Sequence, residues 1–82
     1  IANSNPELQA AIKKLQNKQV PEAITDLQNI ANGSDKAAAA SANYYLSVAY
    51  VANGEYKEAI TQANKFIADN PNNKFVPDAM RV

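Results

Sequence analysis

The side chains that most often carry catalysis are missing from this sequence: among its 82 residues there is no His and no Cys. Without them there is no imidazole base, no thiolate nucleophile, no disulfide framework and no zinc-finger spacing. What remains is carboxylates, ammonium groups and four tyrosines. Glu22 with Asp26, and Lys13 with Lys14, are spaced as on water-facing helix surfaces, where a charge pair contributes about 0–1 kcal/mol. Paired carboxylates that hydrolyse a bond need a cleft and a raised pKa, and a short helical array supplies neither from these positions. Asp69 to Asn73 offers one carboxylate and a Pro, where a calcium loop needs several acidic residues at alternate positions. The expectation is a protein that is not an enzyme and that holds no metal or cofactor.

Partners are narrowed by charge. Eight Lys and Arg balance eight Asp and Glu for a formal net charge of zero, so no basic field gathers nucleic acid or an anionic membrane surface. No apolar run approaches the roughly 20 residues of a membrane-spanning helix, and Ile1 to Pro6 lacks the basic and apolar regions of a signal peptide. The length argues for a single domain, residues 1 to 82.

The elements that would position any surface are helices. Sixteen Ala and eleven Asn stand beside two Gly and four Pro, a composition of helix formers punctuated by residues that cap and turn. Ser4-Asn5-Pro6-Glu7 reads as a capping box, followed by Leu8, Ala11, Ile12 and Leu15 as one apolar stripe to about Asn17. Pro21-Glu22 opens a second helix with the stripe Ala23, Ile24, Leu27 and Ile30, which Ala31 can extend, ended by Asn32-Gly33 with Gly33 able to take the left-handed conformation. Ser34 or Asp35 caps a third helix reaching Ala52, and Asn53-Gly54 repeats the stop. A fourth runs from Glu55 or Tyr56 to about Asp69, since Pro71 bars continuation. Pro77-Asp78 starts a fifth too short to stand alone in water.

Val20-Pro21-Glu22-Ala23-Ile24-Thr25 recurs thirty-six residues on as Tyr56-Lys57-Glu58-Ala59-Ile60-Thr61, close to the roughly 34-residue period of a helix-turn-helix repeat. In the second copy Leu46, Ala49, Tyr50, Gly54, Tyr56, Ala59, Ile60, Phe66 and Pro71 fall where the tetratricopeptide repeat family places its small, aromatic and terminating residues. The sequence therefore resembles that family, strongly over residues 40 to 73 and weakly over 5 to 32. The resemblance implies an all-α, right-handed solenoid of two antiparallel helix pairs, an atypical repeat over 5 to 32 and a second over 34 to 73. The start of a third falls at 77 to 82, and about three such repeats are needed for stability, so the array is expected to continue past Val82. In that packing Ala49 and Ala59 let helices approach, Gly54 permits the turn, and Tyr50, Tyr56 and Phe66 fill the space between this pair and the next.

Departures accompany the match: Lys18 stands where the second copy has Gly54, Asn43 replaces a usual Trp or Leu, and Phe66 replaces a usual Ala. Phe66, with the run Ile67-Ala68-Asp69-Asn70-Pro71 and then Pro77-Asp78-Ala79-Met80, is similar to bacterial envelope members. Among these are the periplasmic coordinator of the Tol–Pal system and the repeat lipoprotein of the β-barrel assembly machine. By the resemblance, Tyr44, Val48 and Val51 lie on a concave face, in line with Leu8, Ile12 and Leu15 of the first copy, as an apolar groove for a helix or extended segment. The alternative for Leu8, Ile12 and Leu15 is that the first helix turns its single stripe into the core. Basic and Asn residues that clamp a C-terminal carboxylate in some members are absent from these positions.

The function expected is a non-enzymatic protein–protein interaction scaffold of a bacterial periplasmic or envelope assembly, with the cytoplasm as the alternative setting. The alternative function is a structural module that self-associates through an exposed C-terminal repeat face.

Overall fold

The computed structural model describes residues 5–81, and these are all-helical, with no strand among them. Helix α1 spans Pro6–Gln16, α2 Val20–Ala31, α3 Lys36–Ala52, α4 Tyr56–Asp69 and α5 Val76–Ala79. The chain forms a slab of 29 × 29 × 18 Å, about two helix diameters thick. Helix α3 packs on both α2 and α4, α1 packs on α2 and touches α3, and α5 rests on α4.

Local chemistry explains most boundaries. The α1 cap is Asn5, whose Oδ1 accepts a hydrogen bond from the Leu8 amide at 3.0 Å; Ser4, expected in that role, lies outside the described residues. Of the two candidates for α3 the cap is Asp35, whose Oδ1 accepts from the Ala38 amide at 3.1 Å. Helix α2 begins at Val20, so Pro21 sits in its first turn, where a missing N–H breaks no helical bond. Helix α5 begins at Val76 and is four residues long.

Helices α1 and α3 end alike, thirty-six residues apart. After α1 the Lys18 amide donates to the Leu15 carbonyl at 3.1 Å and the Gln19 amide to that of Lys14 at 2.8 Å. After α3 the Gly54 amide donates to the Val51 carbonyl at 3.0 Å and the Glu55 amide to that of Tyr50 at 2.8 Å. Both are Schellman closures, which need a left-handed residue at the turn. Gly54 supplies it at φ 78° and Lys18, against its steric preference, at φ 66°. Gly33, able to take the left-handed conformation, does not adopt a positive φ. Its amide bonds the Ile30 carbonyl at 3.0 Å and the chain leaves α2 in an ordinary turn.

Two apolar clusters hold the slab together. The larger joins Leu8 and Ala11 of α1, Leu27 and Ile30 of α2, and Ala38, Ala42, Leu46 and Ala49 of α3. The smaller joins Ala63 and Phe66 of α4 to Ala79 of α5, with Tyr44, Ile67, Phe75 and Val76 against it. Ala49, Ala59 and Ala23 are completely buried, as close helix approach requires. Burying a side chain the size of Leu27 or Phe66 stabilises the fold by about 1.5–3 kcal/mol.

Polar ties cross the same seams. Lys14 pairs with Asp26 at 2.6 Å between α1 and α2. Gln28 donates to the Tyr50 hydroxyl at 3.1 Å between α2 and α3, and Gln62 donates to Asn43 at 2.8 Å between α3 and α4. The last bond gives Asn43 a partner across the seam between α3 and α4.

Candidate interaction surface

Three large apolar side chains stand out to water on one side of the slab: Tyr56 is 63% exposed, Ile60 50% and Met80 72%. Helix geometry puts the first two together. Positions 56, 60, 63 and 67 are separated by four, three and four residues and therefore form one stripe along α4. Within it Ala63 is buried and Ile67 half-buried, so the exposed part is Tyr56 and Ile60; Ala59 and Phe66 beside it are buried. A groove of about 480 Å³ runs between α4 and α5, lined by Ile60, Ala63, Asn64, Ile67, Ala79 and Met80.

The internal repeat pairs Ile60 with a more covered residue. Ile24 of α2 corresponds to Ile60 of α4. It is half-buried against the larger core cluster, which includes four residues of α3. Helix α3 is 17 residues long and covers its neighbour; α5, four residues long, covers α4 only around Ala63 and Phe66. Tyr56, expected to fill space between this helix pair and the next, is largely exposed among the described residues.

The residues assigned to a concave groove are divided. Leu8 is 5% exposed and belongs to the core, because α1 has a single apolar stripe and must use it to pack on α2 and α3. Ile12 and Leu15 are half-buried against that cluster. Val48 is half-buried and Val51 is 40% exposed at the end of α3.

Tyr44 is taken up within the fold. Its ring stacks on Phe75 with centroids 4.5 Å apart and planes at 5°. It also meets Tyr45 edge-on at 5.0 Å and Phe66 at 5.9 Å. Phe75 was not among the residues singled out from the sequence, although an aromatic beside Val76 after a polar Asn-rich stretch is a signal of docking. Asn73 aims it: its Oδ1 accepts from the Phe75 amide at 2.9 Å, and its carbonyl accepts from the Val76 amide at 3.0 Å. The Lys74 ammonium lies 5.3 Å from the Phe75 ring centroid, within range of a cation–π attraction.

The electrostatics are those of a framework. Burial, followed by the nearby Asp78 carboxylate, pushes the Tyr44 hydroxyl above its ordinary range. The Ala38 amide, followed by the Asn5 side chain, holds the Asp35 carboxyl below its ordinary range. Among the described residues no three His, Cys, Asp or Glu side chains converge as metal ligands, and no helix is long and apolar enough to cross a membrane. What the surface offers is apolar area on α4 and α5, able to bury against another surface.

Comparison of the chain with protein-family models, with curated proteins and with solved structures returns no match, so the resemblance to tetratricopeptide repeats rests on the residues that carry it.

Proposed function

We propose that the chain is a non-enzymatic protein–protein interaction module, a short helical solenoid of tetratricopeptide type whose contact surface is the outer face of α4 with α5. The observation that carries this reading is the bare stripe of Tyr56, Ile60 and Met80. Ile60 lies on α4, and its repeat counterpart Ile24 on α2 is half-covered. Contiguous exposed apolar area of this kind marks surfaces that associate. Burial there would contribute about 25 cal/mol per Å² before the costs of association.

A second reading is self-association through the same face. It is favoured by the zero net charge, because two copies meet without like-charge repulsion. Sedimentation over a dilution series separates the two: a mass that rises with concentration, and stays monomeric in Ile60→Glu/Met80→Glu, assigns the face to a second copy. A strict monomer at every concentration leaves the face to a different protein. A self-associating double variant would show that α4 and α5 are not the contact.

The setting within a bacterial periplasmic or envelope assembly is supported by the resemblance over Phe66 to Met80. Fractionation of the producing cells tests it, and recovery in the cytoplasm would reject it.

A further inference from the structure

The sequence contains the pair Asn-Gly twice, at Asn32-Gly33 and Asn53-Gly54, and each follows a helix as its C-terminal cap. An Asn followed by Gly is the arrangement in which a backbone nitrogen most readily reaches a side-chain carbonyl, because Gly places no side chain in the way. The two copies are held very differently.

Asn53 is locked. Its side-chain amide donates to the Glu55 carboxylate, Gly54 sits at φ 78°, and the Gly54 and Glu55 amides close the turn on Val51 and Tyr50. At Asn32 the Gly33 amide bonds the Ile30 carbonyl at 3.0 Å, but the turn lacks the left-handed residue of the other closure. Among the described residues the Asn32 side-chain amide has no hydrogen-bond partner. Asn32, Gly33 and Ser34 are all exposed. With ψ of 2° and 3° at Asn32 and Asn53, the following nitrogen must swing toward the side chain before it can attack. Cyclisation therefore requires local opening, and opening is less costly where fewer bonds close the turn.

We infer that Asn32 is a self-modification site, at which the chain converts its own side-chain amide to a carboxylate through a cyclic imide. The Gly33 nitrogen, giving its proton to solvent base, bonds to Cγ of Asn32. The bond from Cγ to Nδ2 breaks and ammonia leaves. Water then opens the ring at either carbonyl, yielding Asp or its isoaspartyl isomer. One water enters and one ammonia departs, with no oxidant or reductant.

The product is not silent. A carboxylate at position 32 stands at the C-terminal end of α2, where the helix already carries partial negative charge, three residues from Asp35. The isoaspartyl form adds a methylene to the backbone of the short connection between α2 and α3, the joint between the two helix pairs. Modification would loosen that joint with age.

The test compares the two sites within the full chain. Folded protein is incubated in mildly alkaline buffer, and conversion at each site is followed by peptide mapping with isoaspartate detection. A parallel sample is held in denaturant, and Asn32→Gln serves as the control variant. The expected result is conversion several-fold faster at Asn32 than at Asn53 when folded, near-equal rates when unfolded, both isomers among the products, and loss of the fast phase in Asn32→Gln. Equal rates in the folded protein, faster conversion at Asn53, or Asp without its isomer would overturn the inference.

Discussion

Replacing Lys18 with Gly should stabilise the protein although it removes a long side chain and forms no new contact. Lys18 occupies the left-handed position of the α1 closure at φ 66°, where Gly54 performs the same task after α3 at φ 78°. For a residue with a Cβ the left-handed conformation costs about 1–2 kcal/mol. Gly escapes that cost but enlarges the unfolded ensemble, a penalty of about 0.4–1 kcal/mol. The difference predicts a gain of about 0.5–1 kcal/mol for Lys18→Gly. Urea unfolding followed by circular dichroism reads it directly: with a slope of about 1 kcal/mol per molar for a small chain, the midpoint should rise by about 0.5–1 M. The reciprocal change is an internal control. A Cβ at Gly54 would meet nothing within 4 Å, so Gly54→Ala should lose a similar amount through backbone strain alone. A midpoint for Lys18→Gly equal to or below that of the parent would show that the left-handed turn at Lys18 carries no net strain.

Other consequences follow from packing and charge. Phe75→Ala removes the ring stacked on Tyr44 and should cost about 1–3 kcal/mol, with a changed near-ultraviolet tyrosine dichroism as α5 detaches. Ala59→Leu forces a branched side chain into a completely buried site and should destabilise by about 1–3 kcal/mol in the same unfolding assay. Acid should weaken the fold through Asp35, whose carboxyl is held below its ordinary value. Its contribution is present above the unfolded pKa of about 3.9 and is lost as pH falls through the lower folded value. Alkali acts through Tyr44, raised in the folded state: its contribution is intact below about pH 10 and is lost as pH rises through the higher folded value. Unfolding midpoints for Asp35→Asn and Tyr44→Phe across pH, compared with the parent, should lose these respective slopes.

Most helix boundaries were legible in the sequence because they depend on neighbours in the chain. The stops after Asn17 and Asn53, the cap at Asp35 and the break before Pro71 need only local hydrogen bonding and sterics. The alanines at 49 and 59, which the resemblance to tetratricopeptide repeats implies are packing positions, are completely buried. What could not be read was which stripe each helix buries once the partner is fixed. Tyr56 carries a packing residue's identity, yet among the described residues it is largely exposed. Tyr44 reads as a groove residue yet lies under Phe75, and a contact between residues 31 apart has no local signature. At Gly33 the left-handed conformation open to Gly is not used, because Gly permits such a turn without requiring one. Here the chain closes α2 through a bond from Gly33 to Ile30.

Whether the outer face of α4 and α5 meets another protein is decided by site-specific photo-crosslinking in the producing cells. A photoreactive side chain would replace Ile60 or Met80, both exposed on that face, and, as a control, the exposed Glu22 of α2. Discrete adducts are expected from positions 60 and 80, and from these alone. Adducts no more abundant at 60 and 80 than at 22 would show that this face is not the contact.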